Sequence, residues 1–201
     1  MRPRLIGLAG GSCSGKGALA RSLMAQFGDE LCVLELDDYY RDLEDYSEAS
    51  IIAHNYDEPA AFDIETLSLH LDALMDGVAV EQPIYDFSAH RRRATTRTCE
   101  PRPFLLLEGI LVLAIEVLRT RCDLRIYVDA PEDTRLARRI ERDARQRGRD
   151  EGEVRQRFLQ HVAAMHATWV EPSRRFADLV IDGSADVEHN SKTVVQRLAS
   201  L

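Results

Sequence analysis

The sequence predicts an α/β fold, a parallel β-sheet flanked by helices, on two observations. Short apolar runs alternate with helical stretches along most of the chain, and a glycine-rich loop stands directly behind the first run. Strands are expected at 4–9, 31–36, 104–107, 124–128 and 179–181, and helices at 16–27, 64–75, 110–118, 134–147, 151–168 and 191–199. Apolar strands separated by helices fit a sheet buried on both faces, since parallel neighbours need crossover connections that cover them. Ligands of such sheets sit beyond the carboxyl ends of the strands. The residues that follow the strands therefore come first as candidates: Gly10, Asp37, Glu108 and Asp129.

The first strand, Leu5-Ile6-Gly7-Leu8-Ala9, runs into Gly10-Gly11-Ser12-Cys13-Ser14-Gly15-Lys16. A glycine, four residues, Gly15 and then Lys16, between a strand and a helix, is the spacing of a phosphate-binding P-loop. Glycines let successive N–H groups turn inward onto phosphate oxygens, and the helix that follows adds the positive end of its dipole. Gly10 to Lys16, with Gly17, form the expected nucleotide cradle, and Lys16 supplies a compact charge for the outer phosphates. The fold class narrows to a P-loop NTPase fold. One position departs from the pattern: Gly17 stands where a Ser or Thr hydroxyl would ligate Mg²⁺.

The 201 residues suffice for one core, so a single domain spans 1–201, with a β-insertion at about 78–98 and a lid at about 135–157. A net charge of −8 argues against a nucleic-acid partner. Only Lys16 and Lys192 are lysines, so a lysine in the phosphate loop stands out. Cys13, Cys32, Cys99 and Cys122 lie far apart with no C-x-x-C pair, which predicts reduced thiols and a cytoplasmic protein. No leader-like segment and no apolar run near the length of a membrane span are seen, so no membrane partner is expected.

After the second strand come Asp37-Asp38-Tyr39-Tyr40. An acid there could accept a proton from a substrate hydroxyl, hold a metal-bound water, or simply cap the next helix. Asp63 is the expected N-cap of the helix at 64–75. The insertion holds Tyr85-Asp86-Phe87 with His90, either a site for a flat base or an ordinary half-buried hairpin; periodicity cannot separate the two. Phe104-Leu105-Leu106-Leu107-Glu108 has the form of a Walker B strand, and with Gly17 unable to help, Glu108 and Asp37 are the expected metal carboxylates. Arg135, Arg138, Arg139, Arg142 and Arg145 recur at helical steps of three and four. They form either a solvated charged face or a lid that closes over phosphate, with Gly148 as its hinge.

With these pieces in order, the chain resembles the uridine–cytidine kinases. The resemblance rests on the loop at 10–16, Asp37-Asp38-Tyr39-Tyr40, Tyr56-Asp57-Glu58-Pro59, Tyr85-Asp86-Phe87 with His90, Leu107-Glu108-Gly109, Arg138-Arg139 through Arg147-Gly148-Arg149-Asp150, and Glu171-Pro172 before Phe176. It implies Mg²⁺-dependent transfer of the γ-phosphate of ATP or GTP to the 5′-hydroxyl of uridine or cytidine. It implies Asp37 as general base, Asp57 and Arg139 at the ribose, Tyr85 and His90 at the pyrimidine, and Arg142, Arg147 and Arg149 as lid and substrate-side arginines. It further implies Asp186 near the nucleotide base, and a homotetramer. Arg157 stands where the family usually has Gln, and Asp38 where Ser is usual. A related kinase of another small acceptor, or a nucleotide-binding protein impaired at Gly17, are the alternatives.

Overall fold

The computed structural model of the chain describes residues 2–43 and 54–200. Strands β1 (Arg4–Gly10), β2 (Leu31–Glu35), β7 (Phe104–Glu108), β8 (Leu124–Asp129) and β9 (Leu179–Asp182) form the sheet. They lie in the order β2-β7-β1-β8-β9, every neighbouring pair parallel. The central position of β1 explains its sequence. Leu5 and Ala9 face one apolar cluster, while Ile6 and Leu8 face the other. Helices α1 (Lys16–Phe27) and α6 (Val187–Ala199) cover the second face through Leu19, Leu23, Val194 and Leu198. The first face is covered by α2 (Ile64–Met75), through Leu67, Leu71 and Leu74, and by the segment after β7.

That segment corrects an expectation. Residues 110–114 are turns, not the start of a helix, and only α3 (Glu116–Arg119) is helical. Leu111, Val112 and Leu113 are all fully buried. Three consecutive side chains of a helix would spread over most of its circumference, so one core could not take them all. The last helix begins earlier than expected, because Asp186 caps it by accepting from the N–H of His189. Asp63 likewise caps α2, accepting from Thr66 N. The helix expected to end at 168 stays helical to Phe176. It runs from α5 (Glu151–Arg157) through two wide π turns, Phe158–Val162 and His166–Val170.

The insertion is a nested hairpin. Strand β3 (Val80–Gln82) pairs with β6 (Arg97–Cys99), and inside them β4 (Tyr85–Asp86) pairs with β5 (Arg91–Arg92), both antiparallel. Here the thiol expectation is corrected: Cys32 of β2 and Cys99 of β6 form a disulfide, with Cα atoms 6.7 Å apart. Their sequence separation of 67 conceals the pairing from any local motif. Cys13 and Cys122 are free thiols. Among the described residues, no helix is long and apolar enough to cross a membrane.

Candidate active site

The loop between β1 and α1 is built from backbone conformations that suit its residues. Gly10 (φ 140), Cys13 (φ 62) and Gly15 (φ 115) lie in the left-handed region, so the N–H groups alternate their direction and line a concavity. A Cβ at Gly10 would strike the carbonyl of Val128 on β8, so only glycine fits there. Lys16 is 5 % exposed; its Nζ donates to Gly11 O at 2.9 Å and stands 3.8 Å from Glu108. The Ser14 hydroxyl is buried without a hydrogen-bond partner, and no side chain caps the start of α1. Unmet donors around a glycine cradle are what a phosphate satisfies.

The loop is braced from outside by Gly183 and His166, which the sequence reading did not single out, and by Arg135 and Arg138 of the arginine series. A Cβ at Gly183, just past β9, would collide with the carbonyl of Ser14, so the two loops touch backbone to backbone. Arg138 of α4 (Glu132–Arg147) ties that contact, donating to Gly183 O at 3.0 Å and Ser14 O at 3.3 Å. Arg135 and His166 pack against Gly11. Burial, with the Arg135 charge beside it, pushes His166 down to about 4, so it packs as a neutral ring. The Gly183 loop also carries Asp186, whose carboxylate is engaged as the cap of α6.

At the carboxyl ends of β2 and β7 the acids separate. Asp37 and Asp38 share one short 3₁₀ turn, Leu36–Tyr39. Asp37 lines a cavity of about 440 Å³ that opens from Ser12 of the phosphate loop. Asp38 turns to the insertion, accepting from Gln82 Nε2 at 2.8 Å, Tyr85 N at 3.2 Å and Arg97 at 3.3 Å. Burial pushes Glu108 up to about 7 from its ordinary 4.5; Lys16 opposes the shift and Asp37 adds to it.

The cavity is also lined by Asp57, Arg139, Arg142 and Arg149, and by the rings of Tyr40, His54, Tyr56, Phe87 and His90. Arg139 donates to Ser12 Oγ at 3.0 Å, which joins the helix to the phosphate loop. Asp57 is raised by burial, against the pull of Arg139, His161 and Arg142. His90 shares a 2.6 Å hydrogen bond with the Tyr56 hydroxyl, and burial with the nearby Arg149 and Arg157 lowers its pKa. Tyr85 does not line the cavity: it is buried behind the wall, its ring 5.2 Å from Tyr40 and 5.3 Å from Phe87. The arginines are not one uniform face either. Arg145 pairs with Glu141 at 2.6 Å, both side chains exposed. The Arg147 side chain lies outside the described residues.

Residues 5–189 match the Phosphoribulokinase / Uridine kinase family. The chain belongs to that family. A uridine kinase of Brevibacillus brevis is 43 % identical over 180 residues, covering 89 % of this chain and 84 % of the relative. One from Clostridium botulinum is 42 % identical over 202 residues, covering 100 % and 96 %. Among solved structures, a putative fructose transport system kinase from Silicibacter sp. TM1040 superposes with a TM-score of 0.75 at 24 % identity, covering 89 % of each chain, a likeness of fold. The chain is thus a P-loop kinase of the Phosphoribulokinase / Uridine kinase family, and a nucleotide is the phosphate donor that membership implies.

Glu108 gives this kinase a measurable pH signature. The folded protein holds that proton more tightly than the unfolded chain. Its contribution to stability is present below the unfolded value of 4.5 and is lost as pH rises through about 7. Glu108→Gln removes the titration. The melting temperature of the variant, minus that of the natural protein, is expected to rise between roughly pH 5 and 8. A difference that stays flat across that range would refute the raised proton affinity.

Proposed function

We propose that this kinase transfers the γ-phosphate of ATP or GTP to the 5′-hydroxyl of uridine or cytidine. The observation that carries the reading is that one cavity is lined both by Ser12 and Asp37 and by the rings of Tyr56, Phe87 and His90. A phosphoryl acceptor with a hydroxyl at one end and a flat ring at the other fits it.

In this reading Lys16 and the loop hold the donor phosphates in line with the acceptor. Asp37 accepts the proton from the attacking hydroxyl. Asp57 and Arg139 hold the ribose, His90 with Tyr56 meets the pyrimidine edge, and Tyr85 backs that wall. Arg142 and Arg149 face the transferring group. Catalysis is then mainly positioning and electrostatic stabilisation in a water-excluded site.

Glu108 and Asp37 offer the oxygen donors that Mg²⁺ takes, and among the described residues no group of three or more His, Cys, Asp or Glu is preassembled for a metal. That fits an ion bound by one or two carboxylates and the phosphates. When bound, Mg²⁺ neutralises charge on the phosphate oxygens.

The reading is tested by 5′-monophosphate formation from uridine and cytidine with ATP across a Mg²⁺ titration. Turnover of neither nucleoside would overturn it. The same titration on Gly17→Ser examines the departure in the loop. A Cβ at Gly17 meets only Arg21 Nη1, at 3.5 Å, so the hydroxyl fits. The Mg²⁺ concentration at half-maximal rate is expected to fall by about threefold to tenfold, as a hydroxyl replaces a water on the ion. An unchanged midpoint would mean that position 17 does not face the metal.

A further inference from the structure

Asp143 lies on α4 behind the arginines of the cavity and does not itself line it. It is 0 % exposed. Its carboxylate accepts from Arg142, with Nε at 2.9 Å and the terminal nitrogen at 2.8 Å. The same carboxylate stands 3.5 Å from Arg149 Nη1 and 3.7 Å from Arg139 Nε. Its backbone carbonyl also accepts from Gly148 N and, at 3.2 Å, from Arg149 N. Gly148, at φ 61, ends α4 in a left-handed turn that folds the chain back onto Asp143. Among the described residues, Asp143 thus stands against guanidinium groups from three positions, Arg139, Arg142 and Arg149, and these line the cavity.

Buried carboxylates are costly unless paired, and arginines gathered without an anion repel one another. A guanidinium held at a carboxylate also has its fork oriented before any ligand arrives. We propose that Asp143 is the positioning residue of the site: it gathers Arg139, Arg142 and Arg149 into one wall and aims them at the ligand. It touches neither substrate and acts through the arginines. Its effect on turnover rests on the kinase reading above; the gathering itself does not.

The test uses the full chain with Asp143→Asn, which keeps the shape and removes the charge. For uridine, kcat/KM is expected to fall about 100-fold, as misplacement of positioning groups by an ångström does. The KM for ATP is expected to rise less than that for uridine, because Arg138 and the Gly183 contact still brace the phosphate loop. Arg142 and Arg149 should become more reactive than in the natural protein toward an arginine-specific dicarbonyl, read by peptide mass spectrometry. Adding Arg149→Ala to Asp143→Asn should cost far less than the two single losses combined, since both act through one contact. Additive losses, or unchanged arginine reactivity, would overturn the proposal. So would equal rises in both KM values. If Asp143→Asn does not fold, Asp143→Glu keeps the charge on a longer arm and is read in the same way: a larger loss for uridine than for ATP with raised arginine reactivity supports the role, and unchanged reactivity overturns it. If the natural protein phosphorylates neither nucleoside, the kinase reading fails, while dicarbonyl reactivity still decides what Asp143 does.

Discussion

Asp37→Asn is expected to lower kcat by about 10³-fold while leaving nucleotide binding within about twofold of the natural protein. The amide keeps the size of the side chain and loses its ability to take a proton. Asp37 stands at the end of β2 on a short turn, half-buried, and lines the cavity beside Ser12. The phosphate loop itself is braced by Arg138, Arg139 and Gly183. Nucleotide affinity from calorimetry and turnover with uridine give the two numbers. Because Asp37 is also a metal candidate, the Mg²⁺ midpoint of the variant separates the roles. Lost turnover at saturating Mg²⁺ identifies the base; turnover restored by excess Mg²⁺ would leave only the ligand. Retained turnover at ordinary Mg²⁺ would remove Asp37 from the mechanism.

Lys16→Met should be as damaging for a different reason. The ammonium is preplaced, donating to Gly11 O at 2.9 Å within the loop it serves. It is also the nearest cation to Glu108, at 3.8 Å. Removing a preorganised donor from charge that develops on phosphate costs about 10²–10³ in kcat. Nucleotide affinity should fall as well, unlike the Asp37 variant. The exposed Lys192 makes the control: Lys192→Met is expected to leave rate and affinity unchanged. Equal behaviour of the two variants would argue that the loop lysine has no contact with the donor.

Particular residues show what a reader of the chain could and could not see. The sheet was legible because its central strands β1 and β7 are apolar runs buried on both faces. The cradle was legible because glycine spacing encodes backbone conformation directly. Residues 110–118 misled because their apolar content is as high as a buried helix, and only burial of Leu111, Val112 and Leu113 together separates the cases. Cys32 and Cys99 meet only once the insertion folds back over β2, a long-range event with no local signal. Tyr85 and Tyr56 illustrate the same limit within the cavity: the sequence marks a cluster of rings, and packing decides which ring forms the surface and which supports it. In the sequence Asp143 is one acid within a basic helix. Nothing in its spacing tells that its carboxylate points inward.

The adjacent acids at the end of β2 carry a geometric consequence. Asp37 faces the cavity, and its neighbour Asp38 clasps Gln82, Tyr85 N and Arg97 of the insertion. The wall of rings and Asp37 are therefore referenced to neighbouring residues of one turn. Movement of the hairpin at Asp38 reaches Asp37 through one residue step. The two-acid step sets the spacing of rings and carboxylate, and an acceptor must span that spacing to meet both at once.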